Sequence, residues 1–513
     1  MREWIGLGVL ALACILISMD LTVLHLAVPS LSADLKPTSS QLLWITDIYG
    51  FFLAGSLITM GNLGDRIGRR RLLLTGAIAF TITSVLAAFS TSSEMLIVSR
   101  ALMGVSGATI APSTLSLIRN MFHDPNQRTL AIGVWISSFS AGAAIGPLLG
   151  GILLEYFWWG SVFLLAVPVM AILFGLGRVI LPEFKDPKAR RLDLVSVALS
   201  LAAILAVIYG IKQISRDGLG FESALLIMAG VALGAVFLRR QKKLADPLID
   251  LHLFKIPAFS ASLASSLLGF FVNFGVFFFI SQYLQLVLGL SPLQAGLWML
   301  PWPLSFVAGS TLTPVIVRRV PPRFVIAGGL AFAAVGFGLL TQLNEEASFV
   351  ILAAGLVVFS LGLAPVFTLA TDLVVGSAPP ERAGAASAIS ETNAEIGGAL
   401  GIAILGSIGA AVYRTEVIRA IPAGIPPEAR EITRDTLGGA VSIAEQLPKE
   451  LGSLLLDGAR EAFIQSLHLT LIISVAVAAF AAILVFVVLR NMRIGSEENE
   501  KSSVIDKKGS PDQ

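Results

Sequence analysis

Five ionisable side chains stand inside stretches of sequence that are otherwise almost wholly apolar. Asp20 lies in ISMDLTVLHLAVP, Asp47 in LLWITDIYGF, Arg100 in RALMG, and Glu391 and Glu395 in SETNAEIGG. A carboxyl group deprived of water has one chemistry above others: it takes up and releases a proton, or holds a cation in the proton's place. Loss of hydration favours the neutral acid and a nearby guanidinium favours the carboxylate, so Asp20 beside Arg100 is expected to keep an exchangeable proton. Glu391 and Glu395 are four residues apart and share a helical face. Two such neighbours in low dielectric do not both ionise cheaply, so one holds a proton until a cation displaces it. Asp47 sits near enough to a membrane interface to reach water, and Glu391 becomes interfacial if its helix begins near Ala394. Other chemistry finds no support. The four histidines are scattered, Cys14 is the single cysteine, and neither a zinc spacing, a nucleophile–base set nor a phosphate loop is legible, so no metal, cofactor or enzyme activity is expected.

The elements that must position these groups follow from hydropathy. Of 513 residues, 55% are hydrophobic and 14% charged, with a mean hydropathy of +0.83, whereas a soluble chain has about a quarter charged. Runs of roughly 17–25 apolar residues recur, each long enough at about 1.5 Å per residue to cross a hydrocarbon layer about 30 Å thick. Fourteen spans are predicted, at 4–28, 41–62, 72–91, 95–118, 129–153, 161–181, 192–211, 221–239, 257–284, 293–317, 323–343, 348–375, 385–412 and 466–489. Counted along these spans, Asp20 lies about 13 Å and Arg100 and Asp47 each about 9 Å below one surface, so the three are expected to meet.

Lys and Arg concentrate in alternate connections, among them GDRIGRRR, RNMFHDPNQR, FKDPKARR, RRQKK and RRVPPR. By the positive-inside rule these loops and both termini are cytoplasmic, and the net charge of +2 reflects topology, not a surface for nucleic acid. Three blocks result: a six-helix bundle over 1–182, two inserted helices with cytoplasmic linkers over 183–256, and a second six-helix bundle over 257–490. The second bundle carries an external helical hairpin at 413–465, and a disordered tail covers 491–513. Two six-span halves suggest a duplicated carrier with its substrate site at their interface. Asp372 is expected to be a solvated helix end.

Between spans 2 and 3 stands GNLGDRIGRRRL. Gly61, Gly64 and Gly68 permit a tight reversal, Asp65 can cap a helix or pair with a cation, and the arginines anchor the loop. This resembles the G-x-L-a-D-r-x-G-r-[KR] signature of the major facilitator superfamily. The resemblance implies that Gly61, Asp65, Arg66, Gly68 and Arg69 form an inner gate between halves, with Arg119 or Arg128 as the partner of Asp65. GAAIGPLLGG, carrying Gly142, Gly146, Pro147 and Gly150, resembles the antiporter motif of drug exporters; its small residues share one face, and its proline permits a kink. RALMG resembles the family's intramembrane arginine motif, and MDLTVLHLAVP the D-x-T-…-A-x-P signature of the fourteen-span drug:proton antiporters.

With the span count and the long last loop, the chain resembles the branch of methyl viologen and quaternary ammonium efflux pumps. That implies an all-α inner-membrane exporter of small lipophilic cations, coupled to protons, conferring drug and antiseptic resistance and acting as a monomer in the lipid bilayer. Asp20, Asp47, Glu391, Glu395 and Arg100 are its expected proton and cation sites. Trp44, Tyr49, Trp135, Phe139, Trp298 and Trp302 are candidate aromatic walls for a cation. The alternative is proton-coupled transport of a neutral or anionic metabolite. Span 10, LWMLPWPLSFVAGSTLTPVIV, lacks the carboxylate that some relatives bear there, which weakens the case for dications, and its prolines predict a broken helix.

Overall fold

A computed structural model describes residues 2–489 apart from 38, 186–192, 218–219, 245–246, 345–348 and 423–424. The tail expected to be disordered lies outside the described residues. All regular structure among them is helical, as the apolar runs require once backbone N–H and C=O groups must be satisfied without water. The first block contains α1 (Arg2–Leu35), α2 (Ser39–Ile67), α3 (Arg69–Ala88), α4 (Ser93–Gly107), α5 (Ile110–Met121), α6 (Pro125–Tyr156), α7 (Ser161–Leu164) and α8 (Ala166–Ile180). Then come α9 (Leu194–Asp217) and α10 (Phe221–Gln241). The last block contains α11 (Pro257–Gln282), α12 (Pro292–Met299), α13 (Pro301–Val317), α14 (Pro322–Leu340), α15 (Phe349–Gly376), α16 (Ala383–Ala420), α17 (Pro427–Asp435), α18 (Leu437–Ala444) and α19 (Lys449–Val488).

Proline explains the breaks. Pro112 and Pro168 each lack the N–H that would bond the carbonyl four residues back, and the helix parts at Ala108–Thr109 and at Leu165. The segment of span 10 divides at Leu300, where Pro301 opens α13. Twelve described helical stretches are long and apolar enough to cross a membrane; α2 and α6 are outside that set.

Two apolar cores form. One unites α1 to α8 around Leu10, Leu24, Phe80 and Trp135, and the other unites α11 to α16, α18 and α19 around Phe279, Phe337, Phe359 and Leu467. One face of the molecule collects the basic connections. Arg2 at the start of α1 donates to the Ile180 carbonyl at the end of α8 (3.2 Å), and Glu183 accepts the Arg70 and Arg71 N–H groups at the start of α3 (3.0 and 3.2 Å). This basic face orients everything that follows.

At the opposite face α16 and α19 outrun the bilayer. Their 38 and 40 residues extend about 57 and 60 Å, against a hydrocarbon layer of about 30 Å. Over 413–465, α16 runs on to Ala420 and α19 begins at Lys449, so 25 of the 53 residues prolong these two helices. Only α17 and α18 turn aside, tied down by the Tyr413 hydroxyl donating to the Thr433 carbonyl (3.0 Å) and by Ile425, Ile443 and Leu455.

The inserted pair is not a loose appendage. Tyr209 of α9 stacks on Trp44 of α2 (5.5 Å, 8°), and α9 also packs on α16. Beyond α10, the Leu248 N–H donates to Gln241 Oε1 (2.8 Å) and its carbonyl accepts from Asn62 Nδ2 of α2 (2.9 Å). Leu248, Ile249 and Leu253 join Ile58 of α2, Phe237 of α10, Phe259 of α11, Val374 of α15 and Ile389 of α16 in one apolar cluster. The connection after α10 thus lies in the seam between the two cores.

A bidentate ion pair, Arg240 Nε and Nη2 to Asp193 (2.6 and 3.0 Å), with Ser196 Oγ adding a third donor, fastens α10 to the start of α9. The Arg240 hydrogen bonds hold the Asp193 carboxyl well below the usual carboxylate range. A lowered value means that its contribution is complete at neutral pH and fades only as the pH falls through that lowered value. Asp193→Asn is expected to lower the melting temperature in detergent by about 1–2 °C, with the same decrement at pH 7 and pH 5. A decrement that vanishes by pH 5 contradicts this.

Candidate functional site

Arg100 is the pivot of the interior. It sits two turns into α4 and is 1% exposed. Its Nη1 donates to Asp20 Oδ2 of α1 at 2.8 Å and its Nε to the Ile45 carbonyl of α2 at 3.1 Å. The Tyr49 ring lies under the guanidinium, 4.9 Å from its carbon, and Phe163 lies 5.8 Å away. Gly104 makes this possible, because a Cβ there would meet the Tyr49 backbone, so α2 could not approach α4. Removing either member of such a buried pair strands the other charge, at about 3–5 kcal/mol.

The other acids approach from the second half. Glu395 on α16 is exposed and lies seven residues, about two turns, after Ala388, which sits against Gly61 of α2. Glu395 is therefore on the side of α16 that meets the first half. One turn earlier, on the same side of the helix, is half-buried Glu391. Cys14 Sγ lies 3.7 Å from Thr114 Oγ1, which accepts the Trp135 indole N–H at 2.9 Å, and Phe139 meets Trp135 edge-on at 4.9 Å. Acids of α16 therefore turn toward the first half, whose interior holds Asp20 and Tyr49 at Arg100, and Cys14 beside Thr114 and Trp135.

Asp47 is placed elsewhere. At about 100° per residue it lies about 200° around α2 from Tyr49, on the flank that Trp44 and Phe51 turn toward Tyr209 of α9. Trp44 accordingly packs on the inserted pair. Trp298 meets Phe349 and Trp302 meets Phe277, within the second half. In α6, Gly142 lies against the Ile15 backbone and Gly146 against Met19 and Thr22 of α1, while Gly150 is buried. The backbone at Pro147 is helical, and its side chain lies outside the described residues.

The basic face is closed. Asp65 pairs with Arg69, and its Oδ2 accepts the Ala385 N–H (3.1 Å) in the first turn of α16, where unpaired N–H groups favour an anion. Arg69 Nη1 returns to the Gly61 carbonyl (3.1 Å), and Gly61 lies against Gly384 and Ala388 of α16. Gly68 has φ +114° and faces Glu183, so a side chain fits neither its backbone nor its surroundings. Arg66 is half-buried beside Asn62, Asp250 and Arg382.

A second latch corrects two expectations. Arg128 does not serve Asp65: its Nε donates to Asp372 Oδ1 of α15 at 2.7 Å, and Thr129 Oγ1 donates to Asp372 Oδ2 at 2.8 Å. Asp372 is thus no solvated terminus but an ion-pair partner across the halves, with its side chain 12% exposed. Sequence inspection missed it because its partners lie in α6. It also missed Glu183, which neutralises the α3 N-terminus between Arg70 and Arg71. Nothing short-range marks either residue.

The arrangement has known counterparts. A sequence profile of the Major Facilitator Superfamily matches residues 10–402. The chain belongs to that superfamily. It is 44% identical over 490 residues to the multidrug efflux pump LfrA of Mycolicibacterium smegmatis, covering 95% of this chain and 97% of that one. It is 36% identical over 468 residues to the methyl viologen resistance protein SmvA of Salmonella typhimurium, covering 91% and 94%. Among solved structures, the human organic anion transporter MFSD10 superposes with a TM-score of 0.58 at 16% identity, over 93% of this chain and 99% of that one. A bacterial homologue of the lysosomal transporter Spinster, inward-facing, gives 0.56 at 19%, over 95% and 98%. These two share the fold. A major facilitator fold and membership in this superfamily make the chain a multi-pass membrane transporter, not an enzyme.

Asp372→Ala removes the acceptor of Arg128 and Thr129 and is expected to open the basic face. A cysteine introduced at Ser310, fully buried against Gly133 where α13 meets α6, should react with a maleimide several-fold faster in that variant. Equal rates count against the latch.

Proposed function

We propose that this transporter is a proton-coupled drug exporter of a bacterial inner membrane that expels lipophilic cations such as quaternary ammonium compounds and dyes. The observation carrying the reading is the buried Asp20–Arg100 pair in the first half, with Glu391 and Glu395 on the side of α16 that meets that half. Intramembrane acids are costly and mark ion pathways. Trp135 and Phe139 add ring faces that attract a cation. The relatives named for multidrug efflux and methyl viologen resistance support the same substrate class. With the basic face cytoplasmic, both termini lie inside, fourteen segments cross the membrane as two six-helix bundles with an inserted pair, and the closed gate corresponds to an outward-facing state.

Transport then follows from competition. A protonated acid facing the cytoplasm loses its proton as the cation binds, and reprotonation from outside expels the cation. Exchange of one proton for a monovalent cation moves no net charge. Two protons also draw on the membrane potential, worth about 2.3 kcal/mol per 100 mV for each charge. The alternative is a neutral or anionic metabolite; an anion requires a free cation at mid-membrane, and Arg100 is already committed to Asp20.

In energised inverted vesicles, ethidium transport should collapse on adding a protonophore. Asp20→Asn and Glu395→Gln should each slow pH-driven transport at least about tenfold, the scale of one lost charge interaction. Unaltered rates in both variants defeat the site, and indifference of the wild type to the protonophore defeats proton coupling.

A further inference from the structure

The surroundings of Arg100 contain more countercharge than one carboxylate. The Ile45 carbonyl, the Tyr49 ring and the Phe163 ring come from α2 and α7, and none of them titrates near neutral pH. Both rings are anchored without help from Asp20. Tyr49 is set by the close approach of α2 to Gly104 and by Phe80, edge-on at 6.5 Å. Phe163 is met edge-on by Trp159 at 6.5 Å, and the Trp159 indole donates to Asp34 at 2.8 Å. The Tyr49 hydroxyl has no hydrogen-bond partner among the described residues, so the ring, not the oxygen, is what the fold places at Arg100. The titratable groups brought together here are Asp20 of α1, Arg100 of α4 and Tyr49 of α2, and Glu395 lies on the side of α16 that meets the first half.

A guanidinium whose carboxylate takes up a proton is left as a buried, unpaired cation, and that cost opposes protonation. Ring faces offset part of it, because a guanidinium released by the neutral acid can close on rings that stand 4.9 and 5.8 Å from its carbon, so their attraction is stronger in the protonated state than in the ionised one. We propose that Tyr49 and Phe163 are positioning residues that hold Arg100 in place as a cation when Asp20 is protonated, and thereby set the pH at which Asp20 exchanges its proton. This inference rests on Asp20 being the proton site of the proposed function. Its sign is definite. Without a ring face Arg100 depends more on the carboxylate, so protonating Asp20 becomes harder and needs a lower pH.

The test is the pH profile of ethidium transport in reconstituted vesicles. Tyr49→Leu and Phe163→Leu should each move the midpoint to lower pH by about half to one and a half units, the pH equivalent of a cation–ring contact. Tyr49→Phe should keep the wild-type midpoint. If Tyr49→Leu does not assemble, Tyr49→Met removes the same ring face and is read in its place. Midpoints unmoved in both leucine variants, or moved as far in Tyr49→Phe as in Tyr49→Leu, overturn the inference. Asp20→Asn separates the two levels: a wild-type profile there overturns the proton site and this inference with it. A profile flattened by Asp20→Asn beside unmoved leucine variants overturns this inference alone.

Discussion

A charge does not persist in hydrocarbon without compensation, and the interior of this transporter is organised by that constraint. Arg100 cannot snorkel from its place in α4, so the chain brings it a carboxylate from α1, a carbonyl from α2 and two aromatic faces. Each demand recruits another element. The ring of Tyr49 requires α2 to lie close on α4, hence Gly104; α1 must in turn lie close on α6, where Gly142 and Gly146 admit it. One buried cation thereby accounts for the mutual placement of four of the helices in the first half.

The basic face obeys the same electrostatics with different partners. Asp65 meets the exposed N–H groups of α16, Glu183 those of α3, and Arg128 the last turns of α15 through Asp372. Helix ends present partial charges where water is scarce, and acids or bases from elsewhere in the chain neutralise them. Two of these links join one half to the other. The closure is thus made of separable polar contacts, with small residues such as Gly61 and Gly384 bringing the backbones close enough for them to form.

Much of this was legible in the sequence, for local reasons. Hydropathy marks the helices because a backbone in lipid has no alternative, and the loop GNLGDRIGRRRL is recognisable by its resemblance to a superfamily signature because its glycines and charges are contiguous. Asp20 and Arg100 stand out as charges in apolar runs. Three features were not legible. Asp372 and Arg128 are 244 residues apart, Asn62 and Leu248 are 186, and Glu183 and Arg70 are 113. Each member alone reads as an ordinary helix-end or linker residue, and its role exists only once the halves are packed. Asp47 shows the converse: depth along the chain suggested a meeting with Asp20, but depth says nothing about which way a helix face turns.

The connection after α10 introduces a different kind of energy. Separating two apolar helices within a bilayer replaces protein contacts with lipid contacts, and the hydrophobic effect contributes little. Leu248, Ile249 and Leu253 lie past the membrane-length stretch that ends at Gln241 and before the one that begins at Pro257. Parting the seam beneath them wets apolar surface. Opening toward that side therefore carries the heat-capacity increment of hydrocarbon hydration, so the balance between the carrier's two orientations bends with temperature and responds to salts that salt out apolar groups, as soluble proteins do.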